Sequence, residues 1–175
     1  MSDSTANDHA TDASATAAVE KHESFLPDST VLIVDDNEQN VELLQAYLEV
    51  LPVKIEIARD GVEAVEMVKR VGPDLILLDI MMPRMSGFQV CREVKGDPAT
   101  RDIQVLMVTA LSELGDVERA AECGTDDFVS KPVNKFELLT RVKSLLRVRH
   151  LKGELERALG YLGEIEELDE AGNDK

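Results

Sequence analysis

Five short apolar stretches punctuate the chain: VLIV at 31–34, VKIEIA at 53–58, LILL at 75–78, VLMV at 105–108 and FVS at 128–130. Three of them are unbroken apolar runs, the pattern of strands covered on both faces. Between them, Val41, Leu44, Tyr47 and Leu48 recur at helical spacing, as do Val62, Val65 and Val68, and then Phe88, Cys91 and Val94. Asn37 and Asp60 stand where helix N-caps belong, Gly72-Pro73 and Gly124 are stop signals, and a further helix fits 112–123. Strand and helix therefore alternate five times. That order predicts an α/β fold of (βα)5 type, a doubly wound five-stranded parallel sheet with helices on both faces.

The ends of the chain depart from this rhythm. Residues 1–27 are rich in Ala, Ser, Thr and Asp with little apolar content, so folding them would not offset the entropy of ordering, and a disordered tail is expected. The segment from Asn134 to about Leu168 is longer than a covering helix needs. The expected division is a tail at 1–27, a domain at 28–148, and a helical extension with an acidic end at 149–175. Leu151, Leu155, Ala158, Leu162 and Ile165 follow the four, three, four, three spacing of a coiled-coil seam. Gly153, Gly160 and Gly163 interrupt it, each costing a helix about 1 kcal/mol relative to Ala. Two readings stay open at this level, a frayed helical tail and a dimer stalk, and any self-association is expected to be weak.

Composition narrows the function. The 175 residues carry 35 acidic and 19 basic side chains, a formal charge of −16 and a pI near 4.5. Phosphate backbones and anionic lipid surfaces are repelled by such a chain, so neither a nucleic acid nor a membrane is an expected partner. The one basic stretch, Arg141, Lys143, Arg147, Arg149 and Lys152, reads as a solvated helix face or as a balance to the acidic residues after 153. No apolar run reaches the ~18 residues of a membrane span, and no basic start with an apolar stretch marks a secretory signal. A cytoplasmic protein is expected. Cys91 and Cys123 have no metal-ligand spacing and read as reduced, structural thiols. Met81, Met82 and Met85 read as adaptable packing, and His9, His22 and His150 as solvated.

In a parallel sheet of this kind ligands bind beyond the carboxyl ends of the strands. The polar residues there are few: Asp35 and Asp36 after the first run, Asp79 after the third, Thr109 at the end of the fourth and Lys131 after the fifth. Any one of them alone would be read as a helix cap. Together, three converging carboxylates repel by several kcal/mol per pair at an effective dielectric near ~20, so a cation must compensate. Mg²⁺ suits oxygen ligands of this kind, and Lys131 adds a second, monovalent charge. A carboxylate beside a divalent metal and a lysine, with a hydroxyl opposite, is apparatus for phosphoryl transfer onto Asp. Asp79, central in the predicted sheet, is the expected nucleophile. Asp35 and Asp36 are placed to hold the metal, and Thr109 to hydrogen-bond a phosphoryl oxygen.

With VLIVDDNEQN, LILLDIMMPRMSGFQV, VLMVTA and FVSKPV in order, residues 30–148 resemble a response-regulator receiver domain of two-component signalling. The acidic pair, D-x-x-M-P-x-x-x-G from Asp79 to Gly87, Thr109-Ala110 and Lys131-Pro132 are specific as a set. The resemblance implies the flavodoxin-like receiver fold, here with an extended C-terminal helix. It implies that Asp79 accepts a phosphoryl group from a histidine kinase or a phosphotransfer protein. It further implies that Asp36, Asp79 and the backbone carbonyl of Met81 ligate Mg²⁺, with Asp35 acting through metal-bound water. Lys131 would pair with the phosphate, its peptide to Pro132 being cis, and Thr109 with the aromatic at 128 would form the family's switch pair. Position 128 is Phe where many relatives have Tyr, so no hydroxyl can anchor an inward ring. The alternative for Phe128 is a buried strand residue.

The stretch VCREVKGDPATRDIQVLMVTAL is similar to receivers found in front of diguanylate cyclase and other signalling output domains. No output domain follows in this chain. The expected function is thus a phosphorylation-controlled switch of a phosphorelay, signalling through contacts with an unknown downstream protein or a weak, phosphorylation-dependent homodimer. The alternatives are a scaffold independent of phosphorylation and a receiver fragment of a longer regulator. A stand-alone enzyme is not expected. Phosphatases of the haloacid-dehalogenase type carry D-x-D at the nucleophile, whereas this chain has Asp79-Ile80-Met81.

Overall fold

Residues 30–34, TVLIV, offer alternate side chains to opposite faces, and all four apolar residues from Val31 to Val34 are buried. Such a strand needs a cover on each side. In the computed structural model, which describes residues 28–110, 119 and 121–172 and side chains as far as 162, it has both. Strand β1 (Thr30–Val34) lies beside β2 (Lys54–Ala58) and β3 (Leu75–Leu78), followed outward by β4 (Gln104–Thr109) and β5 (Asp127–Ser130). All pairings are parallel and the strand order is β2-β1-β3-β4-β5. The predicted doubly wound sheet is the observed one.

Pleating divides the core in two. On one face Leu32, Val34, Ile76, Leu78, Val105 and Met107 meet helices α2 (Gly61–Val71) and α3 (Gly87–Gly96). On the other, Val31, Ile33, Leu75, Leu77, Leu106 and Val108 meet α1 (Glu38–Leu48) and the C-terminal helix α4 (Lys135–Gly172). The expected caps are in place. The Asn37 side chain accepts from the Gln39 amide, and that of Asp60 accepts from the Val62 and Glu63 amides. Gly72 ends α2 at φ 60°, and Gly124 has φ 84°. The helix expected over 112–123 lies mostly outside the described residues, although Ala121 and Glu122 are helical. Cys91 and Cys123 are buried free thiols, and the Cys91 thiol donates to the Cys123 carbonyl at 3.2 Å. Burial first, and then the contact with Cys123, pushes the Cys91 thiol up from its ordinary pKa.

Helix α4 runs 38 residues without a break, about 57 Å at 1.5 Å per residue. Its contribution to the core ends at Leu146. The basic stretch differs from expectation. Arg141 holds Asp127 at 2.6 Å and Glu137 at 2.9 Å, Arg149 lies 3.7 Å from Asp74, and Lys152 pairs with Asp102. These cations neutralise loop and strand-start carboxylates of the domain body, where the sequence alone suggested solvent or the acidic end of the same helix. His150 likewise lies 3.2 Å from Glu154 and is only partly exposed.

Candidate phosphoacceptor site

Register brings the site together. Val34 pairs with Leu78 and Leu78 with Met107, so the residues just past β1 and β3 are neighbours. The amide of Asp79 donates to the Val34 carbonyl at 2.9 Å, and that of Lys131 donates to the Thr109 carbonyl at 2.9 Å. Asp35, Asp79 and Thr109 are all buried, while Asp36 is exposed. One carboxylate oxygen from each of Asp35, Asp36 and Asp79 lies within 4.8 Å of the others. All three predicted acids therefore converge, with Thr109 and Lys131 on the same rim.

Lys131 ties the cluster. Its Nζ lies 3.0 Å from Asp35 Oδ2 and 3.0 Å from Asp79 Oδ1. Burial works against the ammonium, but hydrogen bonds to Asp35 and Asp79 outweigh it and hold its pKa above the usual lysine value. Burial also holds the carboxyl of Asp79 above the usual carboxylate range. The Lys131 hydrogen bond and charge only partly oppose this, and Asp35 adds repulsion. The Asp79 carboxylate is thus buried and incompletely neutralised by protein groups. Three hard oxygen donors around it fit a divalent cation of the Mg²⁺ type and suit soft metals poorly.

Asp35 is heavily engaged. Oδ1 accepts from the Asn37 amide at 2.9 Å and from Asn40 Nδ2 at 3.1 Å, while Oδ2 accepts from Asn40 at 3.0 Å as well as from Lys131. Asn40 is a positioning residue that sequence reasoning missed. Its only signal was an amide one helical turn after the acidic pair. Gly87 has a physical reason for its place in the motif, since a Cβ there would stand 2.2 Å from the Asp79 carbonyl oxygen and 2.9 Å from Ile80 Cα. Arg84, at φ 67° in the left-handed region, ion-pairs with Asp60 and so ties the loop after Asp79 to the N-terminus of α2. The Lys131-Pro132 peptide is cis. Met81, 77% exposed, projects from the surface beside the site. Phe128 is 37% exposed, so the buried-strand alternative does not describe it.

The parallel sheet thus carries its acidic cluster and lysine at the carboxyl rim, where folds of this class bind their ligands. Residues 31–143 match the family model of the response regulator receiver domain, and the chain belongs to that family. Over 125 residues it is 46% identical to the response regulator PleD of Caulobacter vibrioides, a match covering 71% of this chain and 28% of that protein. It is 38% identical over 117 residues to the DNA-binding dual master transcriptional regulator RpaA of Synechocystis, covering 67% and 48%. The chain thus spans less than half the length of these relatives. Among solved structures, the signal receiver domain of a signal transduction histidine kinase from Syntrophus aciditrophicus is 42% identical with a TM-score of 0.64, covering 67% of this chain and 89% of that one. The receiver domain of the sensor histidine kinase PA1611 from Pseudomonas aeruginosa, solved with a magnesium ion coordinated in the active site cleft, is 28% identical with a TM-score of 0.63, covering 68% and 98%. Receiver domains serve two-component signalling, bind Mg²⁺ in the active site and are generally not stand-alone enzymes. Among the described residues no helix is long and apolar enough to cross a membrane.

Proposed function

We propose that this chain is a phosphorylation-controlled switch of a two-component phosphorelay, with Asp79 as phosphoacceptor and residues 28–148 as the responding unit. The observation that carries the reading is the Lys131 ammonium 3.0 Å from both Asp35 and Asp79, in a cluster whose remaining negative charge calls for a divalent cation. Asp36 and Asp79, with the Met81 carbonyl, would hold Mg²⁺ directly, while Asp35, already bonded by Asn37, Asn40 and Lys131, would act through water. When bound, the metal neutralises charge on the phosphoryl oxygens. An Asp79 carboxylate oxygen attacks the phosphorus of a phosphohistidine, the P–N bond breaks, and the imidazole nitrogen leaves with its electron pair. The donor is a histidine kinase or a phosphotransfer protein.

Lys131 would then hold an oxygen of the new acyl phosphate, and Thr109 would hydrogen-bond another. That pull on the end of β4 is how the state of Asp79 would reach the surface, where Phe128 responds without a hydroxyl anchor. The chain catalyses only its own phosphorylation and dephosphorylation, acts in the cytoplasm, and passes its signal by protein contact. Incubation with acetyl phosphate and Mg²⁺ tests the assignment: the parent should gain one hydroxylamine-labile phosphate and Asp79→Asn none. Label at another carboxylate in that variant would overturn it. Asp36→Ala should lose most Mg²⁺ affinity, and unchanged binding by titration would refute the metal site.

A further inference from the structure

Beyond Leu146 helix α4 leaves the core yet keeps a broad apolar stripe. Val148, Leu151, Leu155, Leu159 and Leu162 are all at least 50% exposed. With the backbone positions of Ala158 and Ile165 they line one side of the helix at heptad spacing. The opposite side faces the domain. Arg149, Gly153 and Glu156 line a cleft there with Asp28, Ser29 and Asp74. Gly160 lies on that same side as Gly153, so both glycines fall away from the stripe. The domain's own body therefore cannot cover these leucines, because the ion pair of Arg149 holds the opposite face, and that of Lys152 the flank, against it.

We infer that the stripe is covered by a second copy of this chain lying antiparallel along α4. Two features of the helix select that occupant and that direction. The first is charge. Residues 141–152 carry five cations, and residues 164–170 carry five carboxylates with no cation. Arg141, Arg149 and Lys152 already pair with acids of their own chain, which leaves Lys143 and Arg147. A parallel pair would set each acidic run against its twin, whereas an antiparallel pair brings it to the level of these two cations of the partner subunit. The second is register. The seam positions are symmetric about a point between Glu156 and Arg157, so one antiparallel alignment layers Val148 against Ile165 of the partner subunit, Leu151 against the partner's Leu162, and Leu155 against the partner's Ala158. The same alignment brings the level of Lys143 to that of the partner's Glu170, and the level of Arg147 to that of the partner's Glu166. Each of these apolar layers thus has a counterpart, within an overlap from Lys143 to Glu170 that is roughly 41 Å long.

The inference concerns the unphosphorylated chain and does not depend on Asp79. Sedimentation equilibrium should show a monomer–dimer exchange that weakens about tenfold as NaCl rises from roughly 50 to 500 mM, since opposite charges are being screened. Leu155→Glu should abolish it. Leu155 is 59% exposed, so this variant keeps its fold, which circular dichroism checks. Direction is read by disulfide trapping: Leu151→Cys mixed with Leu162→Cys should cross-link, and Leu151→Cys alone should not exceed the parent background. A monomer at submillimolar concentration in low salt would overturn the proposal. So would association that strengthens with salt, or self-cross-linking of Leu151→Cys, either of which would mark a parallel pair.

Discussion

Replacing Asp79 by Asn should stabilise the metal-free protein, although Asp79 is the phosphoacceptor proposed above. The Coulomb effects come close to cancelling. Two carboxylate neighbours within 4.8 Å each repel Asp79 by at least about 3.5 kcal/mol at an effective dielectric near ~20. The exposed Asp36 contributes only a screened part of that. Against this, the Lys131 ammonium at 3.0 Å attracts by about 5.5 kcal/mol. What decides the sign is burial of the charge, the largest reason the Asp79 carboxyl titrates above its usual range. An amide escapes that cost and still accepts from Lys131. The gain should be about 1–2 kcal/mol at neutral pH, or roughly 3–6 °C in Tm for a domain of this size. Because the folded pKa is raised above the unfolded one, the parent's penalty is present at neutral pH and disappears as pH falls through the folded value. The gap between Asp79→Asn and parent should thus narrow on acidification. Mg²⁺ should narrow it too, by about 1.4 kcal/mol at tenfold excess over Kd if only the parent binds. Urea unfolding across the neutral-to-acid range in EDTA, repeated at pH 7 with Mg²⁺ in excess over Kd, measures all three effects. A variant less stable than the parent at pH 7, or a gap that does not change with pH, would refute the reasoning.

Lys131→Met should act in the opposite sense, leaving two buried carboxylates without their cation and costing about 3–5 kcal/mol; urea unfolding of this variant alone and with Asp79→Asn would test it, since the double variant should recover part of the loss. Gly87→Ala should cost at least about 2–3 kcal/mol through overpacking, because its methyl would meet the Asp79 carbonyl oxygen at 2.2 Å. Its Mg²⁺ affinity should fall as well, since the displaced atom belongs to the backbone of Asp79, a member of the acidic cluster, and a variant normal in both stability and titration would show the contact to be harmless.

The strands were legible because the strongest sequence signal, an unbroken apolar run of four, arises from burial on both faces. VLIV, LILL and VLMV are buried throughout, and two-sided burial also fixed the fold class. The five polar rim residues followed from knowing where such strands end. Contacts made by reach rather than by rhythm were hidden. Asn40 serves Asp35 from five residues away, and Arg84 meets Asp60 across 24 residues; neither pairing has a periodicity. The basic stretch on α4 shows the same limit. Its partners Asp74, Asp102 and Asp127 lie in other parts of the chain, and a sequence-local balance of charge pointed instead to the acids after 153.

That misplacement alters the picture of the last helix. Had its cations been solvated, the extension would hinge freely where burial ends at Leu146. Instead Arg149 and Lys152 reach back to two loops at the end of the sheet opposite the acidic cluster, the loops that open β3 and β4. Those strands carry Asp79 and Thr109 just beyond or at their far ends. The helix is therefore fastened to the same two strands that carry Asp79 and Thr109, at the end away from the acidic cluster. A displacement of β4 that follows Thr109 toward a phosphoryl oxygen would act on the Asp102–Lys152 pair, and through it on the orientation of the leucine stripe. Each such pair, partly exposed, is worth only about 0–1 kcal/mol. That is small against the fold yet enough to shift an equilibrium between two helix orientations severalfold, which is the scale on which a weak dimer is controlled.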